Sequence, residues 1–270
     1  MAGPHMDDAY PHPDSDVSME ISVILPCFNE AESVAELTAE LNTVLDRLGQ
    51  ASEILFVNDA STDDTLDVLR ALQQRYPRVH IINHQQRLGQ SAGHASGFRL
   101  ARGTQIITMD ADGQNDPSDI PRLLAALQHA DAACGIRRRR QDVWVKRVSS
   151  RLANGFRNVI TREHITDAGC AYRALRRSVL AEIPVFNGMH RFLPTLLRMQ
   201  GYRVIEMDVN HRPRHAGVSK YGINNRLWRG LIDCMAIRWL QSRAVPGHRV
   251  LSVDAVPMSQ PVQTESTTQA

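Results

Sequence analysis

Residues 106–116 read IITMDADGQND, an apolar run that breaks into Asp110, Ala111, Asp112, Gly113 and Gln114. Ile106–Met109 has the look of a buried strand, with both carboxylates just past its end. Open α/β sheets bind ligands at the carboxyl ends of their strands. Two carboxylates held together there are costly unless a cation pairs with them. The economical cation is Mg²⁺ or Mn²⁺, a hard ion that takes carboxylates and substrate phosphates together. The competing reading is a plain turn, since Asp, Gly and Asn are turn formers. Two further strand ends carry polar groups that could converge on the same place: Pro26-Cys27-Phe28-Asn29-Glu30 and Asn58-Asp59.

Alternating strand and helix signals must position these groups. Ile21–Leu25 is β-branched and ends at Pro26, and Asn29 with Glu32 resembles a capping box. Val34, Leu37, Leu41, Val44, Leu45 and Leu48 then recur at helical spacing up to Gly49. Glu53–Val57 is the second strand, and Ser61 caps a helix carrying Leu66, Leu69 and Leu72. Val79–Ile82 is a third strand and Gly89–Arg102 a helix rich in Gly, Ala and Ser. Ile106–Met109 and Ala132–Ile136 are the fourth and fifth strands, with a helix over Pro121–His129 between them. Strands separated by helices every ~25–30 residues imply βαβ units, right-handed crossovers and a mostly parallel Rossmann-like sheet. No G-x-G-x-x-G follows the first strand, so the dinucleotide fingerprint is missing. Trp144–Ile160 and Ile223–Leu240 look helical, and Arg203–Asn210 looks like a strand.

The chain has 270 residues, 43% of them hydrophobic and 22% charged, which is ordinary globular composition. A net charge of +2 does not call for a polyanionic partner. Cys27, Cys134, Cys170 and Cys234 show no zinc or thioredoxin spacing and read as reduced, buried thiols of a cytosolic protein. No apolar run approaches the ~20 residues of a membrane span. Met1–Met6 (MAGPHM) resembles a cloning remnant. The expected organisation is a disordered tail over 1–18, one catalytic domain over 19–243, and a polar, disordered tail over 244–270.

PCFNEAES, VNDASTDDT, LGQSAGHASGFRLARG and DADGQNDP, taken in this order, resemble a family 2 glycosyltransferase of the GT-A fold. DAGCAYRALRR (Asp167–Arg177) and RPRHAGVSKYG (Arg212–Gly222) are similar to its polyprenyl-phosphate branch, which includes dolichyl-phosphate mannose synthase and the undecaprenyl-phosphate aminoarabinose transferase. The resemblance covers Ile21–Arg243. It implies that Pro26, Phe28 and Glu30 hold the nucleotide, with Phe28 facing the base unless it is simply core. It implies that Asp59, beside Asn58, contacts the base. Asp110 and Asp112, flanking Ala111, match the D-x-D motif, and Gln114 matches a third position in the metal shell. Arg137 is placed to contact the diphosphate. Arg214 and Lys220 match basic groups near the phosphates, and join Asp110 and Asp112 as the residues on which catalysis rests.

The implied reaction is inverting, metal-dependent transfer of a sugar from a UDP- or GDP-linked donor to a polyprenyl phosphate at the cytoplasmic membrane face. A divalent ion with Arg and Lys would stabilise charge developing on the leaving nucleoside diphosphate. A lipid phosphate is already largely ionised near neutral pH (second pKa about 6), so no strong base is required. That agrees with the lack of an obvious Ser–His or Cys–His arrangement. Asp167 orients the acceptor or fixes Arg173 by a salt bridge. The alternatives are a GT-A enzyme with a saccharide or small-molecule acceptor, and a non-catalytic nucleotide-sugar-binding subunit of a membrane complex.

Arg137–Arg140 is a solvated charge run or part of a lipid-facing surface; no nucleic-acid-binding motif accompanies it. Trp144, Val148, Leu152, Phe156 and Val159 fall on one helical face flanked by Lys146, Arg147, Arg151 and Arg157. Ile223, Leu227, Leu231 and Met235 form a second stripe, with Trp228 and Trp239 beside it and Arg226 and Arg229 nearby. Either face lies in the headgroup region, making the protein peripheral, or packs on its own core, a small membrane partner or a second copy.

Overall fold

The computed structural model describes residues 18–137, 154–181, 183–213 and 224–244. Seven strands form one sheet in the order β3-β2-β1-β4-β6-β5-β7. They are β1 (Ile21–Cys27), β2 (Ser52–Asn58), β3 (Val79–Asn83), β4 (Gln105–Thr108), β5 (Ala132–Ile136), β6 (Arg173–Arg176) and β7 (Val204–Asp208). All run parallel except β6, which lies antiparallel between β4 and β5. The helices are α1 (Val34–Leu48), α2 (Thr65–Arg75), α3 (Gln90–Leu100), α4 (Ile120–Ala126), α5 (154–161), α6 (Met189–Met199) and α7 (Asn224–Arg243). The expectation of an α/β fold with a mostly parallel sheet therefore holds.

The near-continuous apolar runs of β1 and β2 are explained by burial on both faces. On one face Val23, Leu25 and Phe56 pack with Leu37, Leu41 and Leu45 of α1 and Leu69 of α2. On the other, Ile24, Leu55 and Ile106 pack with Phe192, Leu193 and Leu196 of α6 and Ile237 of α7. Fully burying each such side chain contributes roughly 1.5–3 kcal/mol. At the amino end of the strands, buried Glu53 accepts from Ser22 Oγ (2.6 Å) and from Arg102 N (2.7 Å) and Nε (2.9 Å).

Several local expectations change. Pro26 does not end β1; it pairs in register with Val57. Backbone groups of alternate residues point to alternate neighbours, and Ile24 O accepts from Met109 N on the β4 side. Pro26 therefore directs its missing N–H to that side, past the last β1–β4 pair, Ile24–Thr108. Asn29 does not open α1. It has φ 55°, and its side chain pairs with Thr62, donating from Nδ2 (3.0 Å) and accepting from Thr62 N (2.8 Å). Ser61 is not the cap of α2, which starts at Thr65 behind Asp64. Its Oγ lies 2.5 Å from Asn58 Oδ1 instead. Neither β6 nor α6 is announced by the sequence: β6 is four residues with an arginine at each end, and α6 contains Pro194.

The small residues of α3 have a packing reason. A Cβ on Gly97 would fall 2.3 Å from Ile24 Cγ2, and one on Gly93 2.9 Å from Pro26 Cβ. Helix α3 can lie directly on β1 only because neither has a side chain, and this close approach brings its first turn to the strand ends.

Candidate active site

Strand order places the site. β1 connects outward to β2, while its other neighbour, β4, arrives from later in the chain. The sheet thus changes direction between β1 and β4, where open α/β sheets leave a crevice beyond the strands' carboxyl ends. Asp110 follows β4 there, two residues past Thr108 and so level with Pro26. Phe28 and Glu30 leave β1, Asn58 and Asp59 leave β2, and Arg137 leaves β5 at the same edge. The sheet brings these residues to one rim. Arg214 and Lys220 lie outside the described residues, as do Arg138–Arg140, Trp144, Val148 and Leu152.

The D-x-D turn is held from several directions. Asp110 N donates to Asn115 Oδ1 (3.1 Å), and Gln90 Nε2 donates to Asp110 Oδ1 (2.8 Å). Ala111 is buried, and its carbonyl accepts from Ser33 Oγ (2.8 Å) at the start of α1. Asp112 is buried and accepts from Gln114 N (3.1 Å). Gln114 Nε2 faces the 211–212 segment, 3.3 Å from Arg212 O and 3.5 Å from His211 Nε2. Its backbone carbonyl accepts from Arg212 N (2.8 Å). Arg212 in turn clamps Glu40 through Nη1 (2.9 and 2.7 Å) and reaches Asp116 at 2.9 Å. The segment leading to Arg214 is thereby anchored beside the acidic turn.

The donor set suits a hard cation. It offers two carboxylates, and Gln114 uses its nitrogen for the hydrogen bonds just described, which leaves its amide oxygen available. Among the described residues no group of three or more His, Cys, Asp or Glu is placed to hold a metal ion by itself. Such a partial oxygen set is what Mg²⁺ and Mn²⁺ use when substrate phosphates complete the shell.

On the β2 side, Asn58 is fully buried and spent on structure, donating to Asn83 Oδ1 (2.7 Å) and accepting from Ser61. Buried Asp59 accepts from Leu88 N (2.8 Å) and Gly89 N (2.8 Å) and lies 2.9 Å from His84 Nδ1. His84 Nε2 is 2.9 Å from Ser96 Oγ on α3. Asp59 only accepts, so His84 carries its proton on Nδ1 and, when neutral, takes the serine hydroxyl's hydrogen on Nε2. The chain thus contains an Asp–His–Ser relay that the sequence reading, expecting no Ser–His arrangement, missed. It ties the 84–89 loop to both β2 and α3. At the tip of that loop, the Arg87 guanidinium sits 4.0 Å above the Phe28 ring. Phe28 is therefore a platform with one face carrying a cation rather than a plain core residue. Glu30 N donates to Thr65 Oγ1 (2.8 Å), and Ser33 Oγ lies 3.5 Å from Glu30 Oε2.

Arg137 corrects another expectation. Asp167 pairs with Arg137 and not with Arg173, accepting from Nε at 2.7 Å and from Nη2 at 2.8 Å. Burial works against the Arg137 charge, but Asp167, followed more weakly by Asp110, raises its pKa above the usual arginine range. Gly169 leaves the space, since a Cβ there would stand 2.9 Å from Arg137 Nη2. Arg173, the first residue of β6, is instead buried near His94 and Arg157. Arg157, expected to flank the apolar face of its helix, is buried too. It stacks on Phe192 (4.9 Å) and donates to Thr195 Oγ1 (2.6 Å).

Helices α5 and α7 divide the readings offered for them. Cys234 and Ile237 face the core, whereas Phe156, Val159, Ile232, Met235 and Trp239 are more than half exposed, with Arg238 along the groove between the helices. No described helix is long and apolar enough to cross a membrane.

The family model for glycosyl transferase family 2 matches residues 22–184. Among curated proteins, the undecaprenyl-phosphate 4-deoxy-4-formamido-L-arabinose transferase of Edwardsiella ictaluri is 36% identical over 231 residues, 84% of this chain and 71% of that protein. The dodecaprenyl-phosphate galacturonate synthase of Rhizobium johnstonii is 34% identical over 238 residues, covering 86% and 70%. Among solved structures, glucosyl-3-phosphoglycerate synthase of Mycobacterium tuberculosis, in complex with Mn²⁺, UDP and glucosyl-3-phosphoglycerate, aligns with a TM-score of 0.62 at 16% identity, covering 84% of this chain and 81% of that one. A mannosyltransferase from Pyrobaculum calidifontis in complex with GDP-Man and Mn²⁺ aligns with a TM-score of 0.55 at 20% identity, covering 85% and 68%. At these identities the structural matches speak to the fold.

Proposed function

The chain belongs to glycosyl transferase family 2, and from that membership we propose that it moves a sugar from a nucleotide-sugar donor to a polyprenyl phosphate at the cytoplasmic membrane face. The observation that carries this reading is the convergence of Phe28, Asp59, Asp110, Asp112 and Arg137 on one rim of the sheet. The named acceptor chemistry of the relatives at 34–36% identity supports the lipid phosphate.

Phe28 and the 84–89 loop bind the base, and Asp59 fixes that loop. Asp110 and Asp112, with the Gln114 amide oxygen, would hold Mg²⁺ or Mn²⁺. When bound, such an ion neutralises charge developing on the leaving diphosphate. Arg137 adds a fixed positive charge within electrostatic reach of Asp110, held in place by Asp167 so that it need not reorganise during the reaction. The family resemblance would add Arg214 and Lys220 as basic groups toward the phosphates; both lie outside the described residues. An acceptor phosphate oxygen is already a nucleophile near neutral pH, so the Asp59–His84–Ser96 relay serves positioning rather than proton abstraction. The exposed stripe of Phe156, Ile232, Met235 and Trp239, with Arg238 beside it, suits the headgroup region of a bilayer.

The test is to incubate the protein with Mg²⁺ or Mn²⁺, a panel of UDP- and GDP-sugars, and undecaprenyl phosphate. A lipid-linked sugar that disappears in Asp112→Ala is the expected result. If no donor yields one, while a saccharide or small-molecule acceptor is glycosylated, the acceptor assignment is wrong. Binding of a nucleotide with no turnover on any acceptor would point to a non-catalytic subunit.

A further inference from the structure

We propose that Gln90 is a positioning residue for the metal-binding carboxylate of Asp110, and that the first turn of α3 locks it there. The assignment rests on the family 2 reading of the site. Gln90 Nε2 donates to Asp110 Oδ1 at 2.8 Å. A carboxylate only accepts, so the amide nitrogen faces Asp110; the flipped amide would set oxygen against oxygen. The bond fixes the rotation of the carboxylate about its Cβ–Cγ axis, while Asp110 N–H is held by Asn115 Oδ1 at 3.1 Å. Backbone and side chain of Asp110 are therefore fixed by two different partners.

Gln90 is itself fixed by its neighbours. Gly89 N donates to Asp59 Oδ2 (2.8 Å), and Gly89 has φ 91°, a conformation that favours glycine. Ser91 Oγ accepts from Gly188 N (2.9 Å) and lies 2.8 Å from His190 Nδ1 at the start of α6. Three consecutive residues thus tie to three different elements: Gly89 to the end of β2, Gln90 to the end of β4, and Ser91 to α6. Behind them, Gly93 and Gly97 seat the helix on β1. The side chain that reaches Asp110 stands on a turn with little freedom to rotate. Partners of this kind orient a ligating carboxylate, and losing one typically weakens metal affinity 10–100-fold.

The experiment titrates Mn²⁺ into wild type and Gln90→Met with saturating UDP or GDP, whichever raises the wild-type melting temperature. Bound ion is read from loss of the free Mn²⁺ EPR signal. Methionine keeps the side-chain length and removes the donor, and Gln90→Asn, too short to reach, replaces it if it fails to fold. The expected result is Mn²⁺ binding weakened about 10–100-fold, with affinity for the same nucleotide in EDTA unchanged. In an Asp110→Asn background the Gln90 substitution should weaken Mn²⁺ no further, because it acts through that carboxylate. Unchanged Mn²⁺ affinity in Gln90→Met overturns the assignment, as does an equal loss of metal-free nucleotide affinity, which would make Gln90 a loop brace. A wild type that binds nucleotide but no Mn²⁺ overturns the metal reading of the D-x-D and this assignment with it.

Discussion

Asp167 grips Arg137 with both carboxylate oxygens, at 2.7 and 2.8 Å, across a span of 30 residues, and both side chains are largely buried. The pair joins the end of β5 to the segment entering β6 and keeps a cation within electrostatic reach of Asp110. Removing one partner of a buried pair leaves the other charge uncompensated. Asp167→Ala is expected to lower unfolding free energy by about 3 kcal/mol, measured by urea denaturation. Arg137→Met in the same chain should recover part of that loss, while glycosyl transfer stays impaired in both. Strictly additive effects on stability would show that the pair is not coupled.

Asp110→Asn and Asp112→Asn each remove a charge from the proposed cation site. Transfer activity should fall by ~100-fold or more, as for the loss of a preorganised electrostatic group. EDTA should abolish activity, and added Mg²⁺ or Mn²⁺ should restore it. Gln114→Ala, which deletes the proposed neutral ligand, should chiefly raise the metal concentration needed for half-maximal rate. A wild-type rate unaffected by EDTA after dialysis would refute the requirement.

Gly97→Ala puts a methyl group where Ile24 Cγ2 already stands. Forcing α3 from β1 should cost about 1–3 kcal/mol, as over-packing of cores does. Because the first turn of α3 carries the bonds to Asp59 and Asp110, activity should drop further than the fraction unfolded accounts for. Denaturation and initial rates on one preparation separate the two effects.

His94 gives a pH signature. Burial, then the nearby charges of His190 and Arg173, hold its pKa well below the ordinary 6.5. The unfolded chain takes up the proton at about 6.5 while the folded chain does not, so the unfolded state binds more protons just below that pH. The contribution is complete above 6.5 and is lost as pH falls toward the folded value. Urea midpoints should decline from pH 8 to pH 5, and His94→Met should flatten the slope. An unchanged slope would place the titration elsewhere.

Burial raises the Cys134 and Cys170 thiols to about 11 and pushes Cys27 higher still. Thiolate is the reactive form. A thiol reagent at pH 8 should leave these three unmodified in the native protein and react with them in denaturant. Rapid native labelling of Cys27 would show that the site's rim opens.

The alternation of apolar runs and helical stripes was enough to place β1 to β5, β7, α1, α2 and α7, because such patterns are set by local periodicity. Strand β6 escaped notice: its four residues begin with Arg173, a charged side chain that the fold buries. The D-x-D stood out for a local reason too, since an acidic pair directly after a buried strand is a signal within a few residues. The partners of those acids had no such signal. Arg137 and Asp167 lie 30 residues apart, His84 and Asp59 25, and Gln90 and Asp110 20.

The sequence by itself determined most element types, though not β6 or α6, the mostly parallel α/β class, and which residues carry charge at the strand ends. Periodicity, turn chemistry and side-chain chemistry are properties of short segments. Only the tertiary structure decided which charge meets which. Strand order placed the D-x-D beside β1, the close seat of α3 on that strand brought Gln90 to Asp110, and the return of β6 carried Asp167 to Arg137. These pairings depend on sheet order and helix approach, which no window of neighbouring residues contains.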